Sequence, residues 1–301
     1  MDNKKYILAV PNFSDGRRTE VIEKIVDEVR GVENVTLVSY EPEHDFNRTV
    51  VTLIGEPEPL KKVLVNMAGK SYELINMEQQ KGTHPRIGAQ DTIPLFPFKN
   101  ITLEECKELA EEIGAEVFEK HGVPIYFSGV NARNEKRKAL SFIRKGQYEG
   151  LKLVAHTEER RPDLGPAALH TTAGATIVSA DIEGLTAYNV FLDTENLEIA
   201  KKIARGVRGP SGGFSTIRSV GIKFPEREGV VVSMNMFDCK KTPIYRAFNF
   251  VKQEAARYGI AVTGSELVGP VKLEYLLDSL EYFFGLENFN KGQILETHLM
   301  K

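Results

Sequence analysis

The strongest constraint on this chain is an order of elements that occurs twice: strand, helix, strand, strand, helix, strand. In the first copy, residues 5–10 read as a strand closed by Pro11, and 19–30 carry Val21, Ile22, Ile25, Val26 and Val29 at helical spacing. Two β-branched runs follow at 35–40 and 48–54, then a helix over 58–76 and a strand over 92–98. The second copy reads strand 185–192, helix 195–207, strand 216–224, strand 230–236, helix 244–258 and a short strand 260–263. This order is the split βαβ pattern. The fold class expected is therefore α+β, as two ferredoxin-like subdomains side by side with a ligand groove between them.

Between the copies, 103–120 is an amphipathic helix and 123–127 a short strand. Residues 136–145 read as a basic helix with a solvated face. The polar stretch 156–165 mixes both charge signs with the helix breaker Pro162, and reads as a linker. The expected domains are 1–164 and 165–301.

Charge and composition exclude several classes. The 301 residues carry a formal net charge of −3, and neither half is basic, so nucleic-acid and membrane-surface roles have no electrostatic support. Apolar residues make up 42%, too many for a disordered chain. The only two cysteines, Cys106 and Cys239, exclude a disulfide framework and a cysteine-rich zinc site, and fit a reducing cytoplasm. The histidines form no metal-ligand spacing, so no metal is expected. The apolar run near the start is too short for a signal-peptide core, and no run is long enough to span a bilayer, so a cytoplasmic location is expected.

The segment 84–91, His-Pro-Arg-Ile-Gly-Ala-Gln-Asp, carries the most chemistry. Pro85 and Gly88 keep it out of a helix, so His84 sits in a shaped loop. Imidazole both takes and gives a proton near neutral pH. Arg86 offers a bidentate clamp for a carboxylate, and Asp91 could orient the ring; the competing reading pairs Arg86 with Asp91 in a purely local role. Arg48 opens a strand, either as an edge charge or aimed into the groove, with Glu41, Glu43 and Asp45 as nearby acids. Asn12 lies at a strand end, where ligand-facing polar groups collect. The glycine-rich stretch 205–213 follows a helix and lacks the Walker lysine, which favours a turn over a phosphate loop.

The stretch Gly165, Pro166, Ala167, Ala168, Leu169, His170, Thr171, Thr172, Ala173, Gly174 is small and weakly polar. Its main chain can lie against a flat ligand, or it is an ordinary inter-domain linker.

Taken together, these segments resemble the formiminotransferase family. The resemblance runs from the 10–16 segment Val-Pro-Asn-Phe-Ser-Asp-Gly, through Asn47-Arg48-Thr49-Val50 and 81–91, to 163–166, 173–176, 232–236 and 264–269. It implies two ferredoxin-like subdomains with folate in a groove or tunnel between them. It places the catalytic histidine at His84 and the folate contacts at 165–174, with Asn12, Arg48, Arg86 and Asp91 as substrate-binding candidates. The implied reaction moves a formimino group from N-formimino-L-glutamate to nitrogen 5 of tetrahydrofolate, a co-substrate, within histidine breakdown and one-carbon metabolism. The implied form is a stand-alone transferase without a cyclodeaminase part, and a homodimer is a further expectation. Asp181, Phe46 and Pro270 depart from the family pattern. Two other readings stay open: N-formylglutamate as the donor, and a folate-binding protein without catalysis.

Overall fold

The computed structural model describes residues 3–182, 184–224 and 228–298. The chain divides into two compact units, 3–182 and 183–301. In the first unit, β1 (Tyr6–Ala9) and β2 (Asn12–Phe13) are two pieces of one strand, interrupted at Val10 and Pro11. They lie between β4 (Arg48–Gly55) and β5 (Gln90–Lys99), and β3 (Val35–Glu43) pairs with β4 on its outer side. With α1 (Thr19–Val26) and α2 (Pro57–Leu74) as the crossovers, this is the antiparallel order of a split βαβ fold.

The sheet then extends. After α3 (Leu103–His121) come β6 (Ile125–Gly129) and, further on, β7 (Thr176–Ala180), which pairs parallel with both β5 and β6. Thr102 and Glu105 form a capping box at the start of α3, and Gly122 ends it in the left-handed conformation at φ 66°.

Side-chain alternation divides β6 and β7 between two apolar clusters. Ile125, Phe127, Val178 and Ala180 join the main core against α1, α2 and α3. Tyr126 and Ile177 face the other way, into a smaller cluster with Ile87, Ile143 and Leu151. That second cluster carries α4 (Leu140–Ile143) and α5 (Gln147–Val154).

The second unit repeats the order. Its sheet runs β11 (Val262–Val268), β8 (Thr186–Leu192), β10 (Val230–Met236), β9 (Ile217–Lys223). Two helices, α6 (Leu197–Val207) and α7 (Ile244–Ala256), bury Ile203, Val207, Ala247 and Val251 with Val190, Val232 and Met234. A last helix, α8 (Leu273–Phe284), lies beyond the second repeat.

Several expectations need correction. The helix expected over 136–145 is a 3₁₀ turn at Glu135–Lys138 and the one-turn α4, separated by extended Ala139. Helix α1 stops at Val26, short of residue 30. The unit boundary falls at residue 182 and not at 164, because β7 belongs to the first sheet. Nor is 156–165 a free linker. Arg137 pairs with Asp163 at 2.5 Å, and Asp163 accepts from the Phe127 amide at 2.8 Å, so the segment is tied down on β6. Among the described residues, no helix is long and apolar enough to cross a membrane.

Candidate active site

The loop bearing His84 is shaped by its neighbours. Gly82 lies so close to the chain at 46–47 that a β-carbon there would sit 2.2 Å from the Phe46 carbonyl oxygen. Asn47 holds a left-handed conformation at φ 51°, which asparagine tolerates better than most residues. Its amide donates to the Lys81 carbonyl at 2.8 Å, and its Oδ1 accepts from the Gly16 amide at 3.0 Å. One side chain thus joins three segments of the motif.

His84 is 4% exposed. Its Nε2 lies 3.4 Å from Asp91 Oδ2, and its Nδ1 lies 3.4 Å from Arg48 Nη1. Each neighbour belongs to an ion pair. Asp91 Oδ2 also meets Arg144 Nη2 at 2.5 Å, and its Oδ1 accepts from the Ile87 amide at 2.7 Å. Arg48 Nε donates to Glu43 Oε2 at 2.6 Å. The ring therefore lies between two arginine–carboxylate pairs whose charges balance.

Burial lowers the His84 pKa below the ordinary imidazole value. Asp91 pulls it up, while Arg144 and Arg48 push it down. The uncharged ring is favoured at neutral pH. For Asp91, burial acts upward, but Arg144, His84 and the Ile87 amide together bring it to about 2. With Asp91 ionised, Nε2 carries the ring proton and Nδ1 is left with a lone pair.

The structure brings His84, Arg48 and Asp91 together, and Glu43 is the acid partner of Arg48. Asp91 is 0% exposed, and its contacts to His84, Arg144 and the Ile87 amide suit it to orient the ring. Arg86 is turned elsewhere. Its five N–H groups go to Gln80 Oε1, the Gln80 carbonyl, Gln147 Oε1 and both Glu149 oxygens, at 2.7–3.1 Å. With no donor left over, the expected carboxylate clamp at Arg86 is a tether between the loop and α5. The local pairing of Arg86 with Asp91 does not form either. Asn12 is half-buried and donates its amide to the Val10 carbonyl at 3.0 Å, serving the strand break.

The stretch 165–174 divides in two. Gly165 to Ala168 are exposed. From His170 onward the main chain is engaged within the protein. His170 and Gly174 exchange amide bonds at 2.9 and 3.0 Å, and the Ala173 carbonyl accepts from Ala89 at 2.8 Å. The Thr171 carbonyl accepts from the Tyr148 hydroxyl, and the Thr172 carbonyl from Met77. Leu169 packs against the apolar clusters. Of the expected folate platform, Gly165 to Ala168 and Thr171 are exposed, while Ala173 and Gly174 are buried.

The departures from the family pattern also have places. Phe46 is exposed, with the Arg48 guanidinium 5.3 Å from its ring centroid. Asp181, at the end of β7, is half-buried, and burial pushes its carboxyl up to about 6. Pro270 is exposed, between β11 and α8. Sequence reasoning missed Arg144 and Glu149. Arg144 was hidden in a basic run whose lysines, Lys136, Lys138 and Lys145, face solvent, and its one signal was adjacency to apolar Phe142 and Ile143. Among the described residues, no group of three histidine, cysteine or carboxylate side chains could hold a metal.

A buried, uncharged imidazole oriented by a carboxylate, on a split βαβ sheet, is a centre equipped for proton transfer. Comparison with known proteins gives the family. Residues 6–181 match the N-terminal subdomain of the formiminotransferase domain, and 187–300 match the formiminotransferase domain. The chain is 37% identical over 297 residues to glutamate formimidoyltransferase of Streptococcus pyogenes serotype M1, covering 98% of this chain and 99% of that one. It is 38% identical over 296 residues to glutamate formimidoyltransferase of Thermoplasma acidophilum, covering 97% and 96%. Formimidoyltransferase-cyclodeaminase of Gallus gallus is 35% identical over 98% of this chain, which spans 56% of that protein. A solved microcompartment protein from Desulfitobacterium hafniense covers 91% of the chain, but its TM-score of 0.24 carries no argument. The chain belongs to the formiminotransferase family.

Proposed function

We propose that this chain transfers the formimino group of N-formimino-L-glutamate to nitrogen 5 of tetrahydrofolate, releasing L-glutamate, with His84 as the proton carrier. The observation that carries the role of His84 is its charge balance: a buried ring held neutral, with the Nδ1 lone pair on the side of Arg48. Nitrogen 5 attacks the formimino carbon, and a tetrahedral adduct forms. His84 Nδ1 takes the proton from nitrogen 5. It returns that proton to the glutamate nitrogen as the bond from carbon to that nitrogen breaks. The proton count is the same before and after, and no covalent bond to the protein forms. Asp91 stays ionised and steadies the ring while it is charged.

Arg48, part-exposed beside His84 and paired with Glu43, is the cation that would meet a substrate carboxylate. Gly165 to Ala168 offer exposed main chain and small side chains for the folate. General acid–base help of this kind is worth roughly 10²–10⁴ in rate. Holding the two substrates together can contribute on the order of 7–11 kcal/mol.

The test is turnover with tetrahydrofolate and each of two donors, N-formimino-L-glutamate and N-formyl-L-glutamate. The proposal expects 5-formiminotetrahydrofolate from the first donor at a rate well above any reaction with the second. Faster formyl transfer would reassign the donor. Folate binding without turnover of either would make the chain a folate-binding protein.

A further inference from the structure

We propose that Arg144 is a positioning residue: it neutralises Asp91 and so keeps His84 free to act as an uncharged base. Arg144 comes from an element that the double repeat does not contain. It caps the C-terminus of α4, with its amide donating to the Leu140 carbonyl at 2.8 Å. Helix α4 is one turn long and cannot hold a side chain in place by itself.

It is held from outside. Arg160, from the segment that reads as a linker, donates to the Phe142 carbonyl, to the Ile143 carbonyl at 2.8 Å and to the Lys145 carbonyl at 3.0 Å. The Arg160 guanidinium also lies 5.1 Å from the Phe142 ring centroid. Those bonds satisfy carbonyls at and beyond the helix end and fix the backbone from which Arg144 reaches Asp91. The ordered 157–164 segment is thus an anchor for the site.

Arg144 has a local cost. Its Nε is buried without a hydrogen-bond partner. A buried donor left unpaired is unfavourable, and such exceptions call for an explanation beyond packing. The offsetting interaction is the ion pair with Asp91, a carboxylate that is 0% exposed.

The charges around the ring come from four elements. Asp91 faces it from β5, Arg48 from β4, Arg144 from the end of α4, and Glu43 on β3 offsets Arg48. Arg86, on the ring's own loop, is turned to Glu149. Without Arg144, Asp91 is an uncompensated anion 3.4 Å from Nε2 and holds a proton on the ring. A ring already charged cannot take the proton from nitrogen 5.

The consequence for turnover rests on the reading of His84 above; the effect on the ring does not. The test is therefore a titration of the His84 imidazole by nitrogen-15 NMR in ligand-free protein, with the signal assigned by its loss in His84→Gln. Arg144→Met should raise the midpoint by about one unit or more, a tenfold rise in proton affinity. Arg144→Lys, which keeps the charge, should stay within about threefold of wild type. Should Arg144→Met fail to fold, Asp91→Asn serves as the second variant, and its midpoint should fall below wild type because Arg144 then faces the ring unopposed. A midpoint unchanged in Arg144→Met, or in Asp91→Asn, overturns the inference. If the midpoint moves but the acid limb of kcat/KM does not follow, the inference stands and the reading of His84 as proton carrier fails.

Discussion

Gly88 and Gly174 meet as an antiparallel bridge with no room for a β-carbon on either side. A β-carbon on Gly88 would lie 2.0 Å from the Ala175 carbonyl oxygen, and one on Gly174 would lie 2.2 Å from that of Ile87. Gly174 also holds φ 76°, a conformation that favours glycine. The two glycines let the segment before β7 dock on the loop that carries His84.

Gly174→Val should therefore act on stability before it acts on any ligand. The clash is with backbone, which cannot rotate away, and the left-handed strain adds to it. Together they should cost on the order of 2–4 kcal/mol. Denaturant unfolding of the ligand-free protein measures this. Wild-type stability with weakened folate binding would instead restore Gly174 to the folate platform.

Arg86→Lys should behave in the same way, for an electrostatic reason. Lysine supplies a point charge to a site that uses a planar fork. Gln80 and Gln147 would lose donors, while half-exposed Glu149 could turn to water. A loss of about 1–3 kcal/mol in stability is expected, with KM for the glutamate donor changed little. A large rise in KM at unchanged stability would mean that Arg86 holds substrate after all.

Asp181 allows a pH test. Its carboxyl is pushed up to about 6 by burial alone. An acid whose folded pKa exceeds its unfolded value adds stability below the unfolded value, and loses it as pH rises through the folded one. At pH 7 the charged form is thus disfavoured in the folded chain. Asp181→Asn should stabilise the protein by about 1–3 kcal/mol at pH 7.5, and the gain should vanish near pH 4. Unfolding curves of the two proteins at both pH values decide the matter. An equal difference at both would remove ionisation as the cause.

Much of the fold was legible because several elements of the repeats bury one face, and that leaves a period in the sequence. The stripe in α1 and the alternation of β10 are of this kind. What was not legible depends on long-range pairing. Strand β7 is five residues long and follows directly on the small-residue stretch 173–175, and its place in the first sheet is set by its ladder with β5 and β6. The 156–165 segment looks solvated because its charges are visible and its partners are not. Arg137 is buried and Arg160 half-buried by contacts that no local pattern encodes. In the site, His84 stood out because its residue type announces its chemistry. Arg86 misled for the same reason: a guanidinium suits a substrate carboxylate and a structural glutamate equally well.

The most direct test of the central claim is the steady-state rate of His84→Ala with N-formimino-L-glutamate and tetrahydrofolate. If His84 carries the proton between nitrogen 5 and the departing glutamate nitrogen, kcat should fall by roughly 10²–10⁴ while KM for tetrahydrofolate stays near its wild-type value. A kcat within a few-fold of wild type would contradict the account.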